Sequence, residues 1–297
     1  MTVIIKERRK EMEGFKQINN SIDYLEKNLC SNIKIEQVAK VAGVSKYHYQ
    51  RMFHMLTGVT VAEYIRYRRL TLAAYELLKS KSKVIDVALK YGYSTPESFS
   101  KAFQKLHGIS PSCVKDKEIA LQAYPRFFLQ IQVKGNKKMK YTIKEKAPFT
   151  IVGKEMNAAI NMKENFALIP GFWDECTRMG LCKKLFEIQG DLGLLGVCFD
   201  VDYEQEKLTY LSAVEKPEGK SDNEYNLVEK VIPASTWAVF EVTGKMPESI
   251  HQLWQHIFSE WFPDTGYQYV KKPDFEAYHL KSVKNLEGKA EIWISIE

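Results

Sequence analysis

The sequence predicts a multidomain protein with an all-α N-terminal domain and an α+β C-terminal domain. Three observations support this fold class. Apolar residues recur every three or four positions through the first 118 residues, as in amphipathic helices. Beyond residue 140, β-branched and aromatic residues alternate with polar ones, as in strands. Each half also repeats its own pattern, and 297 residues are enough for two domains of ordinary size.

Charge divides the chain at nearly the same place. Residues 1–140 carry 26 Lys and Arg against 12 Asp and Glu, whereas residues 141–297 carry 17 against 25. Basic residues supply most of the affinity of a protein for a polyanion such as DNA, whereas an acidic domain favours cationic ligands. We therefore expect the two halves to bind different partners.

Residues 35–56 have the pattern of a helix-turn-helix unit. Gly43 suits the tight turn, and Ser45 is a good N-cap for the helix that follows. In that recognition helix, one stripe is apolar and the opposite stripe is polar. The outward residues, which are predicted to meet base edges, are Tyr47, Gln50, Arg51 and His54.

A second unit follows about 50 residues later. Gly92 takes the place of Gly43, and Pro96 begins the second recognition helix, where proline is well tolerated. The apolar stripe Tyr49, Phe53 and Leu56 superposes on Phe99, Phe103 and Leu106. The outward residues of the second helix are Glu97, Ser98, Lys101 and Gln104. Arg and Lys can donate to guanine, Gln can pair with adenine and Glu can accept from cytosine.

Polar stripes of this kind also occur on helices whose outer face is simply solvated. Two copies at a fixed spacing in a basic half favour DNA recognition instead. The run Arg66, Arg68 and Arg69 on the helix between the two units adds to the positive charge.

The segments SKYHYQRMFHMLTGVTVAEYIRYRRLTLAAYELL and DVALKYGYSTPESFSKAFQKLHGISP resemble the DNA-binding domain of the AraC/XylS family of bacterial transcription regulators. The resemblance covers about 105 residues. It implies two helix-turn-helix units joined by a long helix over roughly residues 60–78, with both recognition helices in successive major-groove segments. It also favours transcription activation and implies RNA polymerase as a partner. The sequence departs from the family at Lys101, where many members carry Arg, and at Cys113 and Val114 after the closing Ser-Pro.

Residues 119–140 are predicted to form a basic linker. They contain five basic residues, no acidic residue, a proline and a Gly-Asn turn signal. The linker separates a DNA-binding domain over residues 1–118 from a second domain over residues 141–297.

The second domain contains six predicted strands and two helical stretches, near residues 164–180 and 248–262. The order strand, helix, strand, strand occurs twice: FWDEC lies 81 residues before LWQHI, and GVCFDV lies 79 before FEAYHL. Two such copies about a pseudo-twofold axis leave a groove in which a ligand can bind. Trp254 and Trp261, seven residues apart on the second helix, are assigned to the core.

Alternation in DFEAYHL places Glu276 and Tyr278 on one face of a strand. A carboxylate beside aromatic rings suits a lipophilic cation, although from spacing alone such a glutamate is more often solvated on an open sheet face. Residues from about 140 to 297 resemble a GyrI-like effector-binding domain through IPGFWDEC, WAVFEVTG and SEWFPDTGYQYVKKPDFEAYHL. The resemblance implies binding of bulky cationic or aromatic small molecules, with Glu276 as an anchor and Tyr278, Trp173 and Trp237 as further ligand contacts.

Other classes of site lack a sequence signal. No catalytic triad or phosphate loop is recognisable, and the five cysteines are widely spaced without a C-x-x-C pair. We therefore expect no catalytic residues, metal or cofactor. No apolar run is long enough for a membrane span or a signal peptide, which predicts a cytoplasmic protein without a membrane partner.

The leading hypothesis is a regulator of transcription that binds double-stranded DNA and responds to a small-molecule effector. One alternative is a hydrolase in which Glu276 acts as general base. Another is a protein that sequesters a drug or toxin and binds DNA only incidentally.

Overall fold

The computed structural model of the chain describes residues 2–115, 121–128, 139–160, 162–217, 225–279 and 288–297. The chain divides into two compact units. The first comprises Met1–Tyr49 and Val61–Gln132, and the second comprises Gln50–Thr60 and Val133–Glu297. The segment Gln50–Thr60 thus belongs to the second unit. Of the predicted linker, only residues 121–128 and 139–140 are among those described.

Helices form where the apolar periodicity predicts them. In chain order they are α1 (Thr2–Lys27), α2 (Ile35–Val41), α3 (Lys46–Thr57), α4 (Val61–Lys79), α5 (Val84–Lys90) and α6 (Pro96–His107), followed by a 3-10 turn over Pro111–Lys115. The pairs α2–α3 and α5–α6 are the two predicted helix-turn-helix units, and α4 is the predicted long helix between them. Among the described helices of the whole chain, none combines the length and apolarity needed to cross a membrane.

Glycine makes both tight turns possible. Gly43 and Gly92 have φ values of +71° and +82°, in the left-handed region that other residues rarely adopt. At Gly92 a Cβ atom would also lie 2.9 Å from the guanidinium of Arg69. Both positions therefore require glycine for conformation.

Side-chain caps begin both recognition helices. The Ser45 hydroxyl accepts the backbone N–H of His48 at 3.2 Å, as the sequence predicts. In the second unit, Thr95 is the cap: its hydroxyl oxygen accepts the N–H of Ser98 at 3.2 Å, and Pro96 occupies the first turn. Each cap satisfies a backbone donor that the helix leaves free.

The second helix-turn-helix unit packs around two phenylalanines. Phe99 and Phe103 are fully buried, with ring centroids 5.4 Å apart. Leu70 and Leu77 of α4 belong to the same cluster, and Leu106 packs half-buried against it. The apolar stripe of the sequence is therefore the side of α6 that faces the core.

The second unit is built on an antiparallel sheet of eight described strands. In chain order they are β1 (Tyr141–Lys146), β2 (Phe149–Ala159), β3 (Leu194–Asp202), β4 (Lys207–Glu215), β5 (Val228–Ile232), β6 (Ser235–Gly244), β7 (Asp274–His279) and β8 (Gly288–Ile296). Helices α7 (Met162–Arg178) and α8 (Leu181–Ile188) follow β2. After β6 come α9 (Glu248–His256), a π-helical turn (Ile257–Trp261) and α10 (Phe262–Thr265).

The strand order confirms the duplicated unit. Across the sheet it is β1-β6-β8-β7-β3-β4-β2-β5, so that β6-β8-β7 and β3-β4-β2 are mirrored about a central β7–β3 pair. Gly196 of β3 stands opposite Glu276 of β7 in this pair. The two copies therefore join edge to edge in one sheet instead of packing one sheet on another.

Three elements of this unit were not predicted. Strands β1 and β5 form the two edges of the sheet, and their many charged residues hide the apolar alternation that marks a buried strand. Helix α8 follows α7 after Gly180, whose φ of +79° ends the first helix. The single helix predicted over residues 164–180 is thus the first of two.

The sheet has two differently covered faces. Phe275 of β7 packs with Trp237 and Trp293, at ring distances of 5.1 and 5.3 Å. Its ring also lies 6.0 Å from that of Phe149 on β2, although β2 lies three strands away, so this face is concave. Glu276, the next residue of β7, points to the other face, where side chains of α7 and α9 approach it.

Candidate functional site

The outward stripe of α6 is open to solvent. Glu97, Ser98, Lys101 and Gln104 are all exposed. The Ser98 hydroxyl donates to the backbone oxygen of Thr95 at 2.9 Å and so also supports the cap. Lys101 and Gln104 present the donors that guanine and adenine edges accept.

The matching stripe of α3 is placed differently. Tyr47 is exposed, whereas Gln50, Arg51 and His54 are buried. The sequence predicts a solvated face on both recognition helices, because the two helices share one pattern. In this structure, only Tyr47 of the four α3 residues is accessible to a partner molecule.

Arg51 and His54 are buried by contacts within the second unit. The Nη2 atom of Arg51 lies 3.0 Å from Oδ2 of Asp274, and its guanidinium carbon lies 4.8 Å from the ring centroid of Trp254. The His54 ring is 6.2 Å from that of Tyr203, edge to face. Burial lowers the pKa of His54 to about 4, and the nearby charge of Arg51 adds to the shift.

The arginine run on α4 is largely structural. Arg68 makes a two-pronged ion pair with Glu26, with N···O distances of 2.9 and 2.8 Å. Arg69 donates to the backbone oxygen of Leu29 at 2.7 Å. Arg66 is the exposed member, with 42 % of its side chain accessible.

The Glu276 carboxylate is half-buried and held by two donors. The indole N–H of Trp254 on α9 donates to Oε1 at 2.8 Å, and the Tyr278 hydroxyl donates to Oε2 at 2.6 Å. Burial raises the pKa of Glu276, although both hydrogen bonds oppose the rise. The two hydrogen bonds fix the orientation of the carboxylate, and the rings of Trp254 and Tyr278 lie next to it.

Two further aromatic residues stand beside this carboxylate. Trp173 on α7 donates its indole N–H to the Tyr210 hydroxyl at 3.0 Å, and its ring lies 5.9 Å from that of Tyr278. A Cβ atom on Gly196 would collide with the Tyr210 hydroxyl and lie 3.5 Å from Oε2 of Glu276. Gly196 therefore leaves room for the Tyr210 hydroxyl next to the acid.

Such a site favours a weakly hydrated organic cation. Aromatic faces attract cations, and a carboxylate removed from bulk water pairs more strongly with a cation than an exposed one. In the described parts of the chain, no group of three or more His, Cys, Asp or Glu side chains is arranged to hold a metal ion.

Trp237 lies elsewhere. It is fully buried on the opposite face of the sheet, against Phe275 and Trp293. The structure thus brings Glu276, Tyr278 and Trp173 together and leaves Trp237 in the core.

Three residues of the site were missed in the sequence. Trp254 is buried, as predicted, but it also donates to Glu276; the repeat that aligns FWDEC with LWQHI makes it equivalent to Trp173 and could have identified that contact. Asp274 shares the alternation of Glu276 and Tyr278 on β7. Tyr210 is a single tyrosine in a predicted strand, and no sequence signal distinguishes it.

Comparisons with known proteins fall on the two halves separately. The Cass2 family, described as integron-associated effector binding protein, matches residues 142–296, and a helix-turn-helix domain family matches residues 38–117. The TetD protein of transposon Tn10 from Escherichia coli is 40% identical over 95 residues, which are 32% of this chain and 69% of the relative.

A second relative and a solved structure are also similar. The HTH-type transcriptional activator AarP of Providencia stuartii is 40% identical over 95 residues, which are 32% of this chain and 70% of the relative. The structure of SAV2435 bound to tetraphenylphosphonium is similar over 54% of this chain and 94% of that chain, with 24% sequence identity and a TM-score of 0.46.

Proposed function

Because the chain belongs to the family of integron-associated effector binding proteins and carries an AraC-type helix-turn-helix domain, we propose that a lipophilic cation bound at Glu276 controls its activity on DNA. The protein is a DNA-binding transcriptional regulator with a small-molecule-binding domain. The proposal adds the chemical class of the effector and the residues that bind it.

One observation carries the effector proposal. The Glu276 carboxylate is oriented by Trp254 and Tyr278 and stands beside Trp173 and Tyr210. A cation there gains charge pairing together with contact to aromatic faces, worth about 2 kcal/mol or more when desolvated. A neutral ligand of the same shape gains only the apolar contact.

The DNA part of the proposal rests on α6. Its stripe of Glu97, Ser98, Lys101 and Gln104 is exposed and suited to base edges, and we assign the corresponding role on α3 to Tyr47, Gln50, Arg51 and His54. Because AarP is named a transcriptional activator, we propose activation, with RNA polymerase as the further partner.

The effector proposal is tested with tetraphenylphosphonium, a permanent aromatic cation, by isothermal titration calorimetry on the full chain. The Glu276→Gln variant keeps the shape and loses the charge, so binding is expected to weaken at least about tenfold. The control is Glu145→Gln on edge strand β1, where the side chain is exposed and binding is expected to be unchanged. Equal affinity of Glu276→Gln and the unaltered chain would remove Glu276 from the site.

A hydrolytic role is the second candidate, because the raised pKa of Glu276 suits a general base. Ester compounds with a cationic aromatic group are incubated with the protein, and products are measured by mass spectrometry. Binding without product is the expected result. Turnover that is lost in Glu276→Gln would favour the hydrolase.

A further inference from the structure

A second acidic residue lies near Glu276. Asp274 begins β7 two positions before Glu276, so the two carboxylates share one face of the strand. Trp254 lies between the two acidic groups. Its indole N–H donates to Glu276, and its ring face lies 4.8 Å from the guanidinium of Arg51, which is the partner of Asp274. The Arg51 guanidinium therefore lies over the face of this indole, and the Glu276 carboxylate lies at its N–H edge.

The Arg51 side chain contacts Asp274 and the ring of Trp254 in the way that a bound cationic ligand would. Its side chain is 7% exposed and that of Asp274 is 2% exposed, and the N···O distance between them is 3.0 Å. The Tyr269 hydroxyl donates to the same carboxylate oxygen, at 3.0 Å. A guanidinium is thus held by a carboxylate and an indole face, a combination that selects planar cations.

The pairing of Arg51 with Asp274 is incomplete. Arginine and carboxylate groups commonly form two parallel hydrogen bonds, as Arg68 and Glu26 do. Here the Nε of Arg51 and the Oδ1 of Asp274 are both buried, and neither has a hydrogen-bond partner among the described residues. A free guanidinium or amidinium that presents two parallel N–H groups to Asp274 would make the bond that Arg51 leaves unmade.

The residues around Arg51 are also the ones that the sequence predicts to contact DNA. Gln50, Arg51 and His54 are buried, whereas the corresponding stripe of α6 is exposed. A side chain cannot contact a base edge and Asp274 at the same time. Any ligand that needs the place of Arg51 therefore favours the state in which Gln50–Thr60 is released.

We propose that Asp274 and Trp254 form a binding site for guanidinium and amidinium groups, which Arg51 fills in the absence of an effector. An effector that carries such a group displaces Arg51 and frees the first recognition helix for DNA. This inference rests on the proposed function, because it names the ligand class and the regulation of the same site.

The test uses benzamidine, an aromatic amidinium, with the full chain in calorimetry. Arg51→Ala removes the internal competitor and is expected to raise benzamidine affinity about tenfold, and Asp274→Asn added to it is expected to abolish the gain. Lys183→Ala, which removes an exposed positive charge from α8, is the matched control and should leave the affinity unchanged. Unchanged or weaker binding by folded Arg51→Ala would overturn the proposal.

A second measurement uses the unaltered chain and does not depend on how the variants fold. Hydrogen exchange of the backbone amides in Gln50–Thr60 is expected to accelerate on saturation with benzamidine, because the segment loses its packing. Exchange that stays equal or slows would also overturn the proposal.

The two proposals fail differently. Tetraphenylphosphonium binding that depends on Glu276, together with benzamidine binding that ignores Arg51, would leave the proposed function standing without this inference. If both cations bind independently of Glu276 and Asp274, both proposals are wrong.

Discussion

At the residue scale, Glu276 combines a charge with an apolar setting. Its carboxylate accepts hydrogen bonds from Trp254 and Tyr278, yet burial still raises its pKa above the ordinary value of 4.5. Burial therefore makes the ionised form of Glu276 costly, and a bound cation would offset that cost.

This shift predicts how cation binding depends on pH. Tetraphenylphosphonium keeps its charge at every pH, so its affinity is expected to fall as Glu276 is protonated. Because the pKa of Glu276 is raised, the fall should begin above the range of an ordinary glutamate. Calorimetry between pH 7.5 and 4.5 measures this, and Glu276→Gln should show a flat profile. A fall of the same size in the variant would assign the titration to another group.

Individual residues were predicted unevenly from the sequence. Glu276 and Tyr278 follow from alternation and the family resemblance, because both depend on local sequence. The burial of Arg51 could not be predicted, because its partner Asp274 lies far along the chain and the sequence of α3 contains no signal for the ion pair. Trp237 was named as a ligand contact together with the family resemblance, and the structure places it in the core.

At the scale of elements, α4 shows how a basic run divides between folding and binding. Arg68 and Glu26 are nearly buried and joined by two hydrogen bonds. Arg66 is more exposed, and its contact with Glu63 is long, at 3.9 Å. Sequence alone cannot distinguish the two arginines, because both are basic residues on one helix.

The division predicts different effects on stability. Arg68→Ala leaves Glu26 without its partner and is expected to destabilise the helical unit by about 3 kcal/mol. Arg66→Ala removes a partly exposed arginine whose contact with Glu63 is long, at 3.9 Å, and should change the free energy of unfolding less, by about 1 kcal/mol or under. Urea unfolding followed by circular dichroism measures both. Equal effects would show that the Arg68–Glu26 pair contributes no more than a surface pair.

The second recognition helix supports a prediction about base preference. Lys101→Ala is expected to weaken binding to a preferred DNA site by about 1–3 kcal/mol and to relax the preference at one position. Lys183→Ala removes the same charge from an exposed position on α8, in the other unit, and is the matched control. Fluorescence anisotropy with specific and random DNA separates the cases. Equal losses on both DNAs would mean that Lys101 contacts phosphate alone.

At the scale of the whole molecule, the two repeats were predictable and their assembly was not. Helical periodicity and turn glycines specify the helix-turn-helix units locally. The duplicated strand-helix-strand-strand pattern is visible in the spacing of about 80 residues, but the joining of the copies through β3 and β7 depends on pairing between distant strands. The edge strands β1 and β5 depend on the same non-local pairing.

The most direct test of an effector-controlled regulator is selection from a random DNA pool by the full chain near physiological salt, with and without tetraphenylphosphonium. A motif of two half-sites about one helical turn apart is expected, with enrichment that changes when the cation is added. Glu276→Gln should keep the motif and lose the response. Binding without any enriched motif under either condition, with a steep dependence on salt, would contradict sequence-specific regulation and favour a drug-sequestering protein.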